Sequence, residues 1–446
     1  MRYDDLPGRA VVVWGAGREG RAAHTELRRR GVDAPILLTG AASVPDDLAD
    51  VALAGEPALE ALLAADIVVK SPGVPHTSPE FVRAREHGVA VTSLTDLWLA
   101  DNAARALGVT GTKGKSTASS VAHHLLCEVG VAASLVGNGG TPVTADDASS
   151  ASVAVAEVSS YQAADLASSP RVGILTSLYP EHLPWHGSYE QYVHDKLNLF
   201  AHGSELVVVP EVDGELGDLV RARIGGGRVI DPAAVGITVD ERGISWGGAG
   251  ALAAVQIPLA GRHNHVNVAL ALAAVAAGFA DGVDRSRLLR AVSTFAPLAH
   301  RLERVPARED DPRRWVDDSL ATAPEAVIAA LETFAEVPVT LLLGGADRGL
   351  SFAPLRAYLP RRAAHARVDV VALGPAGRRW LDEGGAPGVV SRELGDFAST
   401  LAALHRRDDA SSTSAVVLLS PGAPSFDEFT SYEERSAAFR AGALGA

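Results

Sequence analysis

The chain has 446 residues, 47% apolar and 21% charged, enough for two to four ordinary globular domains of about 100–200 residues each. Asp and Glu (54) outnumber Lys and Arg (40), and a net charge of −14 argues against general nucleic-acid binding while leaving room for a local basic loop around a small anion. The start MRYDDLPGRA lacks the basic-then-apolar pattern of a signal peptide, no apolar run reaches the roughly 18 residues of a membrane span, and the single Cys127 excludes an internal disulfide, so a cytoplasmic protein is expected.

Short β-branched runs recur along the chain at Ala10–Trp14, Ile67–Val69, Val153–Ala156, Val172–Thr176, Leu206–Val209, Val339–Leu343, Val368–Leu373 and Ala415–Leu419. Ala/Leu-rich helical stretches separate them, which predicts an α/β fold of parallel sheets with crossover helices. Strands buried on both faces read as such continuous apolar runs. The run Ala269 to Ala280 reads as a core helix, and Cys127, in the apolar stretch Val121 to Glu128, as a buried structural thiol. Joints around Leu99 to Leu107 and around Phe295 to Arg314 divide the chain into 1–100, 101–297 and 298–446.

Gly15-Ala-Gly17-Arg-Glu-Gly20 follows the first predicted strand and has the form of a dinucleotide-type fingerprint, with a diphosphate expected over the helix start. A NAD site would place an acid at the end of the next strand. That strand, Pro35 to Leu38, ends in Thr39-Gly40, which favours another diphosphate such as a UDP-sugar. A glycine turn that only stabilises the fold is the plainer alternative.

Gly108-Val-Thr-Gly111-Thr112-Lys113-Gly114-Lys115-Ser116-Thr117 follows a strand and opens a helix. Glycines let backbone N–H groups turn toward phosphate oxygens, Lys115 can reach the β- and γ-phosphates, and the Ser116 or Thr117 hydroxyl can ligate Mg²⁺. Val109 stands where the usual P-loop has its first glycine, so Gly111 is the tight-turn residue of a variant loop.

Later motifs are individually weak. Glu157, at the end of a strand, can hold Mg²⁺ or cap a helix. His182 can ligate a metal, or it and His186 can be a plain pair of loop histidines, and Lys196, on a helix predicted from Tyr189 to Phe200, is on local grounds a solvated lysine. Asn264 and Asn267 open an alanine-rich helix, where capping is the stronger local reading. Asp317-Asp318, Gly344-Gly345 and Ser420 to Asp427 all follow predicted strands, so they can converge on one cleft or be unrelated polar loops.

Together and in this order, the motifs resemble the muramyl (Mur) ligase family over essentially the full chain, closest to the MurD-type glutamate ligases. The resemblance implies three domains: a Rossmann-like UDP-substrate-binding domain, a central P-loop ATPase domain and a Rossmann-like amino-acid-binding domain. It implies an ATP-dependent ligase that phosphorylates a carboxylate and couples it to glutamate, with ATP and Mg²⁺ as cofactors and UDP-N-acetylmuramoyl-L-alanine and glutamate as substrates. A monomer without nucleic-acid or membrane partners is expected.

Residue by residue, the resemblance places ATP on Gly111, Thr112, Lys113, Gly114, Lys115, Ser116 and Thr117, with Asn264 and Asn267 toward the adenine and Arg301 and Asp318 on phosphate and ribose. Ser116, Glu157 and His182 would hold magnesium, and Lys196 matches a lysine carbamylated in the family. Gly15, Gly17, Gly20, Ser71, Asn138, Ser159 and Gln162 would face the UDP-substrate, and Thr322, Arg348, Ser425 and Tyr432 the amino acid. Lys115, Lys196 and His182 carry the catalytic expectation.

Some positions depart from the pattern. Glu181 replaces the usual Asp before His182, and Ser177 stands where Asn is common. Leu320 occupies the place of a lysine that D-glutamate-adding members use on the substrate carboxylate, and Arg348 replaces another lysine of that pocket. An Arg fork binds a carboxylate in a different geometry from a point charge. With Trp14 to Arg21 and Gly345 to Gly349, these changes favour the branch that adds L-glutamate, with the D-glutamate ligase as the alternative.

Overall fold

The computed structural model describes the chain except residues 42, 139, 140, 145–150, 260, 281, 298, 406–415 and 446, and the side chain at 325. One expectation, Ala415 at a strand start, lies outside the described residues. The chain forms two compact units, Met1–Pro258 with His263–Phe295, and Leu259–Arg262 with Ala296–Ala446.

The first unit holds two parallel sheets. β1 (Val11–Trp14), β2 (Ile36–Leu38), β3 (Ala52–Ala54), β4 (Ile67–Lys70) and β5 (Ala90–Thr92) lie in the order β3-β2-β1-β4-β5. β6 (Ala106–Thr110), β7 (Ala133–Gly137), β8 (Val153–Glu157), β9 (Val172–Leu175), β10 (Leu206–Val208) and β11 (Arg228–Ile230) lie in the order β11-β10-β9-β6-β8-β7. All neighbours in both sheets are parallel. Every residue of β1, β4, β6, β8, β9 and β10 is buried, as their unbroken apolar runs require.

In each sheet the chain leaves the central strand on both sides, so β1 and β6 end at topological switch points, where open α/β sheets bind ligands. One hydrophobic cluster runs from Val11, Val13 and Ile67 through Leu94, Leu97 and Leu99 to Ala154, Leu175 and Phe200, so the two sheets share a core.

Two features break the all-parallel expectation. β12 (Ile237–Asp240), β13 (Gly243–Trp246) and β14 (Gly250–Ala253) form an antiparallel sheet. Their tight turns and alternating burial lack the continuous apolar runs that marked the other strands. In the second unit β15 (Glu303–Val305) runs antiparallel to β16 (Arg314–Asp317) at the edge of an otherwise parallel sheet. That sheet continues through β20 (Val416–Leu419), β17 (Val339–Gly344), β18 (Val368–Leu373) and β19 (Val390–Glu393).

The helix Arg262–Gly278 buries Val268 through Val275, as its apolar run predicts. Cys127 corrects an expectation: it is exposed, its sulfur 3.6 Å from His123 Nε2. Leu125 and Leu126 of the same helix are buried, and Cys127 falls on the turn's other face.

Candidate active site

The loop after β6 is shaped by two close approaches. Gly111 has φ 149°, and a Cβ there would sit 2.0 Å from the Thr176 hydroxyl. Gly114 has φ 87° and caps the helix Lys115–Glu128, and a Cβ there would meet the Asn267 amide at 2.6 Å. Side chains are therefore excluded at both positions, which leaves the backbone open to close approach. Gly108 is different: it lies within β6, where Pro170 would block a Cβ at 2.5 Å, so it is a packing glycine outside the loop. The first turn of Lys115–Glu128 carries no acidic side chain, leaving its positive end to an anion.

Three lysines converge here. Lys115 Nζ donates to the carbonyls of Gly111 and Thr112 at 2.9 and 3.1 Å. Lys113 pairs with Glu181 at 2.7 Å, and Ser177 brackets its backbone, accepting from Lys113 N at 2.9 Å and donating to Lys113 O at 3.0 Å. The Ser177 departure thus has a local use. Lys196, on the helix Tyr189–Leu197, donates to Gly111 O at 3.0 Å and is almost wholly buried. The local expectation of a solvated lysine fails because the helix turns this residue inward under the loop, 5.0 Å from the Tyr192 ring. Burial, reinforced by Lys115 and Lys113, holds the Lys196 ammonium well below the usual amine range.

Burial raises the Glu181 carboxyl, but Lys113, His182 and Lys115 outweigh it and hold the group below its ordinary value. Burial lowers the His182 imidazole, which favours the neutral ring whose lone pair can ligate a metal. His182 sits at φ 57°, a left-handed conformation uncommon outside glycine. His186 is committed elsewhere, with Nδ1 on Asp195 at 2.7 Å and Nε2 on the Ser160 hydroxyl at 3.1 Å.

Glu157 ends β8 beside the loop strand and is buried. It caps no helix. Ser159 does, accepting from Gln162 N, while Gln162 Oε1 accepts from Ser159 N at 2.8 Å and Ser159 Oγ at 3.0 Å. Asn138 Nδ2 donates to Glu157 Oε1 at 3.0 Å. Asn267 lies too far inside the helix Arg262–Gly278 to be its N-cap and packs against Gly114, whereas Asn264 lies in the first turn; both are buried.

At the end of β1, Gly15 has φ 102° and a Cβ would strike Ser71 Oγ at 2.9 Å, while one at Gly20 would lie 1.9 Å from Gly15 O. Ser71, following β4, donates to Gly15 O at 3.3 Å. Gly17 has nothing within 4 Å of its would-be Cβ, so its backbone can approach a ligand. The next residues reach the second sheet: Arg18 donates to Asn138 O at 3.2 Å, and Glu19 accepts from Gln162 Nε2. Burial pushes the Glu19 carboxyl up to about 7. Two further groups went unread in the sequence. Lys70 and Asp165 form a buried pair at 2.8 Å, and His76 joins Asp165 at 2.6 Å.

In the second unit, Gly344 N donates to Pro421 O at 2.8 Å and Ala346 N to Pro424 O at 2.9 Å, bringing the loops after β17 and β20 together. Ser425 is buried there, Thr322 and Arg348 are exposed, and the Arg348 guanidinium lies 6.0 Å from the Phe426 ring centre. Arg435, absent from the sequence reading, is buried and donates to Ser319 O at 2.9 Å and to Ala423 O at 3.2 Å. Arg301 is exposed, and Tyr432 packs edge-on to His300. His300, Glu303 and Asp317 form the one cluster of metal-ligand type among the described residues, but Ser436 and Arg440 already occupy its carboxylates.

Asp318 is buried, accepts from Ser420 Oγ at 2.7 Å and has its carboxyl pushed up to about 7 by desolvation. In the unfolded chain it ionises near pH 4, so between about pH 4 and 7 only the folded state keeps the proton, and stability falls as pH rises. Asp318→Asn should flatten this fall, worth up to about 1.4 kcal/mol per pH unit in that window. Parallel melting curves of the two proteins from pH 4.5 to 7.5 would refute it.

Residues 109–275 match the Mur ligase middle domain. The chain is 41% identical to the UDP-N-acetylmuramoyl-L-alanine–L-glutamate ligase of Micromonospora sp., over 98% of this chain and 97% of that protein. The chain belongs to the Mur ligase family. The enzyme of the same designation from Salinispora tropica is also 41% identical, with 98% of each chain covered. The MurF ligase from Thermotoga maritima in complex with ADP shares the fold of this Mur ligase at a TM-score of 0.58 and 16% identity, over 99% of this chain and 96% of that one. Among the described residues no helix is long and apolar enough to cross a membrane.

Proposed function

We propose that this Mur ligase is a cytoplasmic enzyme that uses ATP to add L-glutamate to UDP-N-acetylmuramoyl-L-alanine in peptidoglycan precursor synthesis. The observation that carries the reading is the convergence of Lys113, Lys115 and Lys196 on a glycine loop at the switch point of the second sheet. A polyanion bound there meets backbone amides, a helix N-terminus and ammonium groups at once. The near-complete alignment with relatives named for L-glutamate addition supports the substrate.

Transfer of the γ-phosphoryl group to the substrate carboxylate makes an acyl phosphate. The amine of glutamate attacks its carbonyl carbon, a tetrahedral intermediate forms, and phosphate leaves. Charge builds on phosphoryl oxygens in the first step, where Lys115 and the loop amides stabilise it. Ser116, Glu157 and His182 would hold magnesium: the hydroxyl and the buried carboxylate are the oxygen donors a hard cation takes, the imidazole is the softer third ligand, and Asn138 holds the carboxylate. The ion would neutralise phosphate charge. Asn264 and Asn267 would face the adenine, Arg301 and Asp318 the nucleotide's phosphate and ribose, and Gly15, Gly17, Gly20, Ser71, Asn138, Ser159 and Gln162 the sugar nucleotide.

The division 1–100, 101–297 and 298–446 would then correspond to sugar-nucleotide, ATP and amino-acid domains of a monomer. Around the amino acid, Thr322, Arg348, Ser425 and Tyr432 would form the pocket. The half-buried Leu320 offers no charge to a carboxylate, whereas Arg348 offers a fork. Mass spectrometry of the product from each glutamate enantiomer tests the assignment. L-glutamate is expected to be consumed with phosphate release; coupling of D-glutamate alone would overturn it.

A further inference from the structure

Where the first sheet meets the second, the start of the helix Arg18–Arg29 touches the segment after β8. Gln162 lies at the centre of that contact and is buried. Its Oε1 accepts two hydrogen bonds from Ser159, and its Nε2 donates to Glu19. An amide that must accept on one side and donate on the other has a single orientation. Ser159 is locked in turn, its hydroxyl donating to Gln162 Oε1 and accepting from Gln162 N. The second Glu19 oxygen is buried and finds no hydrogen-bond partner among the described residues, and Glu19 is among the residues lining a narrow cleft with Arg18, Leu94, Gly137, Val143 and Gln162.

We propose that Glu19 is a positioning residue. It fixes the Gln162 amide for the acid that is to be phosphorylated, so that the glycine turn of the first sheet helps to set the acid-binding edge of the second. This rests on the function proposed above. The joint does not need Glu19 to hold together, because the Lys70–Asp165–His76 cluster and a continuous apolar core already brace it. Glu19 instead sits on the amide that faces the cleft.

A double-mutant cycle of Glu19→Ala and Gln162→Ala, read separately in the KM for sugar nucleotide and for ATP, tests the inference. Glu19→Ala is expected to lower kcat/KM for the sugar nucleotide about tenfold, the upper scale of one lost hydrogen bond. The ATP KM should stay within about twofold, and the double variant should be no worse than Gln162→Ala. Glu19→Gln, whose amide oxygen can accept the same N–H, should restore activity to within about threefold of the unmodified enzyme.

Additive losses, equal changes in both KM values, or a Glu19→Gln as impaired as Glu19→Ala would overturn it. Should Glu19→Ala fail to fold, Glu19→Asp takes its place in the cycle, since the shorter arm loses the contact. Turnover by the unmodified chain separates the two readings: its absence defeats the assigned function, whereas additive losses with turnover intact defeat the role of Glu19.

Discussion

Lys115→Ala should lower kcat about a thousandfold with both substrates saturating. Its ammonium lies on the carbonyls of Gly111 and Thr112 at the mouth of the loop, next to a helix N-terminus that carries no acid in its first turn. Charge that moves onto phosphoryl oxygens in the transition state meets this group. Removing one preorganised donor from such a site costs about 10²–10³ in rate, and a full charge lies at the upper end. Lys115→Arg should rescue little, because a planar guanidinium cannot occupy the point-charge position between those carbonyls. The fold should persist, since the loop is also held by Thr112, through Tyr192 at 2.6 Å and Tyr179 N at 2.9 Å, and by Ser177. Phosphate release measured alongside the melting temperature checks this; an enzyme that keeps more than about a tenth of its turnover would refute the loop as the site of phosphoryl transfer.

The parts of this site that the sequence shows are those whose chemistry is local. A strand, a glycine pair and a lysine within ten residues announce the loop, because backbone approach and helix start depend on neighbours in the chain. The parallel sheets are legible for the same reason: burial on both faces leaves an unbroken apolar run, as in Val153 to Ala156. The antiparallel β12–β14 sheet left no such run and went unread.

Contacts between distant segments leave no local signature. Lys70 and Asp165 become a buried ion pair only when two sheets meet, and nothing near either residue in the sequence marks it. Lys196 is the sharper case. Its own helix has the polar look of a surface element, and only the fold shows that the loop lies over it. Glu19 was visible as a letter in the glycine fingerprint, but its role depends on Gln162, which belongs to the other sheet. In the second unit, Arg435 ties two loops from beneath and carries no motif at all. Cys127 erred in the opposite direction, since an apolar neighbourhood in sequence says nothing of which helical face a residue takes.

Lys196→Met should abolish most turnover while leaving the protein as stable or more so. A buried ammonium beside Lys115 and Lys113 is costly, and the fold answers by pushing this amine toward its neutral form. The unfolded chain still holds the proton near neutral pH, so between the lowered folded value and the usual amine range folding releases it. Stability in that window therefore rises with pH, and an apolar side chain of similar length escapes the penalty at its acidic end. The gain of Lys196→Met in melting temperature should be largest near neutral pH and shrink toward pH 9–10. A neutral buried amine can also attack carbon dioxide, forming a carbamate and releasing a proton, which turns a repelled cation into a carboxylate suited to orient magnesium. Carbon dioxide-depleted buffer should then slow the unmodified enzyme, added bicarbonate should restore it, and Lys196→Met should respond to neither, with a loss of about 10²–10³ in kcat. If bicarbonate leaves the rate of the unmodified enzyme untouched after depletion, the lysine acts as a plain amine against Gly111, and the carbamate is ruled out.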